Sequence, residues 1–162
     1  MTTKSPTNAG VIVALLPDAD YVSMRPTTSD HHLTVLYLGR LTDEEINPKA
    51  LTSYWKNLMK LWDVKIEGEI TAETMFHTPD GWAHVDLVNA PYLPDFRSLA
   101  QELLDVHGLP LGRTHGFIPH ITRRYIRASS QIEFVHRKEK PKLTLDRLAI
   151  WAGETRYVND LT

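Results

Sequence analysis

The sequence predicts an α+β fold of two pseudo-symmetric lobes, each an antiparallel sheet with helices on its outer face, around a central cleft. Short apolar or alternating segments with strand spacing recur along the chain, and two longer segments have helical spacing. The two halves have similar sets of elements, and each half contains one His-x-Thr pair within an apolar segment. Repeated elements of this kind favour two related lobes that meet along a cleft.

The composition is that of a single soluble domain spanning residues 1–162. The absence of cysteine excludes disulfides and thiolate metal sites. The N-terminus is polar, and no segment approaches the roughly 18 apolar residues of a membrane span, so we expect a cytoplasmic protein with no membrane contact and no obligate protein partner. Between Arg113 and Lys142 there are eight Lys or Arg and two Glu, which suits an anionic ligand but equally a solvated basic face.

The first half contains two strands and a helix. Val11–Leu16 is a continuous apolar run typical of a buried strand, and residues 17–30 have the composition of a long surface loop. His31–Leu38 is predicted as the second strand. A helix follows from Thr42 to about residue 61, because Thr42 and Glu45 have the spacing of a capping box and apolar residues then recur at helical spacing.

The second half begins with Val64–Phe76, predicted as one bent strand or two short ones. Asp80-Gly81 favours a turn into a strand at Ala83–Val88, and Pro94–Val106 has the pattern of a second helix. No element is assigned after Gly153. Three further strands are predicted at Phe117–Ile126, Ile132–Val135 and Leu143–Trp151.

The His-x-Thr pairs are the strongest functional signal. Residues i and i+2 of a strand point to the same face, so His32 shares a face with Thr34, and His120 shares one with Thr122. Parity places His31 on the other face, at the rim or surface. A single buried His beside a Thr is usually structural, but two copies in related halves indicate one site. We call His32, Thr34, His120 and Thr122 the motif residues.

The motif residues fit phosphodiester cleavage. One imidazole would remove the proton of the attacking hydroxyl, and the other would protonate the leaving oxygen. An ordinary histidine pKa of about 6.5 allows one neutral and one charged copy near pH 7. The threonine hydroxyls can donate to the phosphate oxygens as charge develops. The scheme requires no metal or other cofactor.

The segments HLTVLYLG at 32–39 and FIPHITRRY at 117–125 resemble the paired H-x-T motifs of the two-histidine (2H) phosphoesterase superfamily. This superfamily includes bacterial 2′-5′ RNA ligase-like proteins, cyclic phosphodiesterases and compact phage enzymes. The resemblance covers most of the chain and implies the bilobal α+β fold. It also implies that His32 and His120 are the acid–base pair and that Thr34 and Thr122 hold the phosphate.

Other side chains are candidates for substrate contacts. Strand parity puts Arg124 on the face of His120, although a solvated arginine is equally compatible. Aromatic side chains at Tyr125 and Trp151 suit base stacking, but core packing is the more common role. Within the predicted loop Arg25 is a candidate lid contact, with a surface arginine as the alternative, and His115 lines the cleft or lies in a loop.

The predicted function is a metal-independent phosphodiesterase with a nucleotide or short cyclic oligonucleotide as its substrate. The substrate would be a cyclic nucleotide, a 2′,3′-cyclic phosphate or a 2′-5′ linkage. The similarity to compact phage enzymes suggests a viral enzyme that degrades cyclic-nucleotide immune signals. Two alternatives remain open. One is a module that sequesters a nucleotide or RNA end without turnover, and the other is a 2′-5′ RNA ligase that uses the same residues in reverse.

Overall fold

The computed structural model describes residues 10–25, 30–40, 46–112, 116–127 and 140–162. The predicted capping box at 42–45, the predicted strand at 132–135 and His115 lie outside these residues. The described chain forms three helices and seven strands: β1 (Gly10–Pro17), α1 (Ala19–Met24), β2 (Leu33–Arg40), α2 (Pro48–Leu61), β3 (Ile66–Thr78), β4 (Gly81–Asn89), α3 (Leu93–Val106), β5 (His120–Ile126), β6 (Lys142–Ala152) and β7 (Thr155–Asp160).

The seven strands form one antiparallel sheet with the order β1-β2-β5-β4-β3-β6-β7, and β1 also pairs with β6. The α+β class with antiparallel strands is therefore confirmed. The sheet has two halves, one formed by β1, β2, β6 and β7 and the other by β3, β4 and β5. They join at two seams: β2 meets β5 at Leu33 and Ile121, and the start of β6 meets the start of β3. The two predicted sheets therefore form one sheet, because the strands on either side of each seam are hydrogen-bonded to each other.

The two long helices bury one apolar face each and contact one another. The α2 helix begins with Pro48 after Asn47, whose side chain accepts a hydrogen bond from the Lys49 amide, so the helix starts later than the Thr42 pattern predicts. Tyr54 of α2 donates its hydroxyl to the Ala100 carbonyl of α3 at 2.7 Å. In the part of the chain that is described, no helix has both the length and the apolar character needed to cross a membrane.

Two elements differ from the sequence prediction. Residues 19–24 of the predicted loop form α1, because the Asp18 side chain accepts a hydrogen bond from the Tyr21 amide and caps the helix. The strand β7 lies in the segment to which no element was assigned. Gly153 has φ of 62° and Glu154 has no positive φ, as in the two-residue type II′ turn that joins hairpin strands.

Candidate active site

The motif strands meet where Leu33 of β2 and Ile121 of β5 are antiparallel partners. One residue away on either side, the same register places each motif histidine opposite the motif threonine of the other strand. Opposed residues of an antiparallel pair lie about 4.5–5.5 Å apart and point to the same face. By this register the motif residues share one face of the sheet, an arrangement that we call the motif square, while Leu33 and Ile121 are buried on the other face.

The two motif histidines are held in the same way by residues that precede their strands. His32 Nδ1 lies 2.9 Å from the carbonyl oxygen of Asp30, and His120 Nδ1 lies 2.7 Å from the carbonyl oxygen of Ile118. A carbonyl oxygen only accepts hydrogen bonds, so Nδ1 carries the proton in both rings. Each neutral ring then has its lone pair on Nε2, where it can take up a proton from a ligand.

Each motif histidine also contacts an aromatic ring from a strand two positions away in the sheet. The ring of His32 is 4.4 Å from Trp151 with an interplanar angle of 52°, and the ring of His120 is 4.9 Å from Phe76 at 78°. Together with the backbone hydrogen bonds, these contacts restrict the orientation of both imidazoles. Trp151 was predicted near the site as a stacking residue, whereas Phe76 has no motif that would identify it in advance.

Arg156 of β7 adds a positive charge on the His32 side. Its guanidinium lies 3.7 Å from the Trp151 ring centroid and its Nη1 is 3.0 Å from Oδ2 of Asp30. Burial lowers the pKa of His32 below its ordinary value, and the charges of Arg156 and His120 lower it further against the opposing effect of the Asp30 carbonyl. The neutral form of His32 is therefore favoured near pH 7.

A β-bulge changes the expected position of Arg124. Thr122 is paired with Val85 but Arg124 with His84, so Arg123 is the extra residue and the alternation of faces shifts by one. The prediction that Arg124 shares the face of His120 is therefore wrong. Arg124 instead points to the opposite face, where its Nε lies 3.3 Å from Nδ1 of His84.

Arg25 occupies a buried ion-pair network rather than a lid or the protein surface. It is 2% exposed, and its Nε and Nη2 each lie 2.6 Å from an oxygen of Asp86, which is fully buried. Arg25 Nη2 and Arg123 Nη1 also pair with Oε1 of Glu73 at 3.0 and 2.8 Å. Because Arg25 follows β1 and α1, and Asp86 lies on β4, the network connects the two halves of the sheet. The expected substrate contact at Arg25 does not fit this burial.

His31 is half-buried and contacts residues of this network. Its Nε2 donates to the Arg25 carbonyl at 2.7 Å, and its ring is edge-on to Tyr21 at 5.6 Å. Tyr21 in turn donates its hydroxyl to Asp86 at 2.8 Å. Nε2 of His31 is therefore occupied by a backbone hydrogen bond, whereas the motif histidines bond a backbone carbonyl through Nδ1.

Tyr125 is placed differently from Trp151. It is 68% exposed and lies on the motif face, three residues beyond Thr122 along β5. It lines a separate cavity near the β3–β4 turn, together with residues such as Asp80 and Arg127. The structure therefore brings Trp151 to His32 and leaves Tyr125 farther along β5.

The fold is shared with solved structures, although no family model and no curated protein matches the sequence. The Thermus thermophilus protein TT0787 matches with a TM-score of 0.57 and 17% identity over 94% of this chain and 95% of that one. A phosphoesterase matches at 0.56 and 14% over 95% and 96%, and E. coli LigT complexed with 3′-AMP at 0.53 and 11% over 95% of each. The α+β fold implied by the H-x-T resemblance is thus confirmed, and this chain has the fold of the solved phosphoesterase and LigT structures.

Proposed function

We propose that this protein is a 2H phosphoesterase that cleaves phosphodiester bonds of nucleotide substrates with its two motif histidines. The observation that carries the proposal is that the two imidazole rings are held by the same kind of hydrogen bond. Both Nδ1 atoms donate to a carbonyl two residues earlier in the chain, and both rings belong to one square with two threonine hydroxyls. Two imidazoles with available Nε2 atoms around one ligand position are what in-line acid–base cleavage requires.

Each motif residue has its own role in the proposed reaction. A lowered pKa suits His32 as the base, since the neutral ring can remove the proton of the attacking water or hydroxyl. The new P–O bond forms as the bond to the leaving oxygen breaks, and protonated His120 donates the proton that this oxygen needs. Thr34 and Thr122 donate hydrogen bonds to the non-bridging oxygens, where negative charge increases in the transition state. No step in this scheme uses a metal ion.

A nucleotide ligand is supported by the structural comparisons. LigT structures with this fold were solved as complexes with 3′-AMP and with NADP+, at TM-scores of 0.53 each. Within that class, the scheme applies to 2′,3′-cyclic phosphates, 2′-5′ linkages and cyclic oligonucleotides, including those that act as immune signals. Each of these contains a phosphodiester with a leaving oxygen that an acid can protonate.

The test is hydrolysis of a panel of cyclic and linear oligonucleotides in EDTA, with products identified by mass spectrometry. We expect at least one phosphodiester to be cleaved with an undiminished rate in chelator. Loss of activity in EDTA would contradict the metal-independent scheme. Recovery of bound but unchanged nucleotide would indicate a sequestering module, and joined fragments from cyclic-phosphate and 5′-hydroxyl ends would indicate a ligase.

A further inference from the structure

We infer that a cavity beside His32 is a subsite for a second phosphate of the substrate, the one that links the reacting nucleotide to its neighbour. This inference rests on the proposed function and names the substrate class more narrowly, as a nucleotide with an additional phosphate. The cavity has a volume of about 260 Å³ and lies against residues of β6, β7 and the segment before β2. Its walls include Asp30, His31, Arg147, Trp151, Arg156 and Val158.

The cavity lies next to the residues that hold the His32 ring. Asp30 provides the carbonyl that holds His32 Nδ1, and Trp151 contacts the His32 ring. Both residues are also walls of the cavity. A ligand in the cavity would therefore be one side chain away from a motif histidine.

Strand register places the arginines and the tryptophan of the cavity on the reactive face of the sheet. Thr34 is the partner of Ala14, and Ala14 is the partner of Ala149, so these three side chains point to one face. Arg147 and Trp151 lie two residues on either side of Ala149 and share that face. Arg156 is the β7 partner of Trp151 and points the same way.

The volume of the cavity fits a part of a nucleotide ligand. Pockets for whole drug-sized ligands usually begin at about 300 Å³. A space of about 260 Å³ holds a phosphate with some of its sugar, while the reacting phosphate occupies the motif square. The two positions together would form an elongated site.

Both cations of the cavity have partly exposed carboxylate partners, which a phosphate can replace or join. Arg156 is paired with Asp30, whose side chain is 74% exposed, and exposed ion pairs of this kind are weak. A phosphate can therefore replace or join Asp30 as the partner of Arg156. Arg147 donates from Nη2 to the Pro17 carbonyl at 2.9 Å and from Nε to Oδ1 of Asp146 at 3.3 Å, and these contacts fix its guanidinium at the wall of the cavity. Guanidinium groups bind phosphate oxygens in a planar two-point geometry.

The test compares two non-reacting ligands that differ by one phosphate, a nucleoside 3′-monophosphate and the corresponding 3′,5′-bisphosphate. Calorimetry on the full chain is expected to show the bisphosphate binding about tenfold more tightly, a preference that decreases with salt. Val158 lines the cavity and is 48% exposed, so Val158→Glu should remove the preference by adding a negative charge at its rim. Val158→Gln should retain it.

A matched control separates this local effect from a change in net charge. Val64 is 52% exposed in the segment after α2, and Val64→Glu adds the same charge there with no expected change in preference. Equal binding of the two ligands by the unmodified protein, or an unchanged preference in Val158→Glu, would overturn the subsite. Failure of the proposed function would appear separately, as no cleavage of any phosphodiester in the substrate panel.

Discussion

Leu33 of β2 and Ile121 of β5 are Cα partners at the seam between the two halves of the sheet, and both are fully buried. This pair determines how the motif residues face one another. A shift of one residue in the register would pair unlike faces and turn one histidine away from the other. The buried contact between Leu33 and Ile121 therefore fixes the geometry on which the proposed chemistry depends.

The motif threonines are expected to act through their hydroxyl groups. Thr34→Val keeps the shape of the side chain but removes the donor to the phosphate, so kcat should decrease by about 10²–10³. Thr34→Ser, which retains the hydroxyl, should keep most of the activity. Steady-state kinetics on the best substrate of the panel would measure both variants, and equal rates for Val and Ser would contradict a hydrogen-bonding role.

The pKa of His32 is expected to depend on Arg156. Removing the guanidinium in Arg156→Gln takes away a positive charge that disfavours the protonated ring, so the His32 pKa should rise towards its ordinary value. An NMR titration of the imidazole Cε1 proton measures the change directly. A pKa that stays constant or falls in this variant would show that Arg156 does not act on His32 electrostatically.

Two lowered histidine pKa values make the folded state sensitive to acid. Burial lowers the pKa values of His32 and His84, assisted at His84 by the charge of Arg123. Below the unfolded pKa of about 6.5, the unfolded chain binds protons more readily than the folded one, so stability decreases as the pH falls. Urea unfolding at pH 7.5 and pH 5 should show this loss, and His84→Gln should reduce it. An equal loss in His84→Gln would rule out a contribution from that residue.

The ion-pair network is expected to contribute strongly to stability. Asp86→Asn removes a carboxylate that is fully buried against Arg25, leaving the guanidinium without its closest charge partner. The free energy of unfolding should fall by about 3–5 kcal/mol. Asp30→Asn is the matched control, since its exposed pair with Arg156 is worth at most about 1 kcal/mol. Similar losses in the two variants by urea denaturation would contradict the assigned roles.

The local sequence pattern was sufficient to predict those parts of the fold that depend on residues close together in the chain. Strand parity separated His32 from His31, and apolar spacing located α2 and α3, because each of these features is set by residues close in sequence. The hairpin of β6 and β7 could also have been found. Its Gly153-Glu154 turn carries a recognisable signal and would have placed Arg156 opposite Trp151.

Features that depend on contacts between residues far apart in the sequence could not be predicted from local pattern. The bulge at Arg123 reverses the face of Arg124, and it depends on pairing with β4, about 40 residues earlier. Arg25 is buried because Asp86, 61 residues away, compensates its charge, and neither residue lies in a distinctive local pattern. The polar composition of residues 17–30 therefore predicted a surface loop where the chain forms a buried contact.

The most direct measurement of the central claim is the cleavage rate of the best panel substrate by His32→Ala, His120→Ala and the control His77→Ala. His77 is exposed on β3 and is not a motif residue. Each motif substitution should reduce kcat by about 10²–10⁴ with an unchanged circular dichroism spectrum, while His77→Ala retains full activity. Folded motif variants that cleave the substrate at the unmodified rate would contradict acid–base catalysis by this pair of histidines.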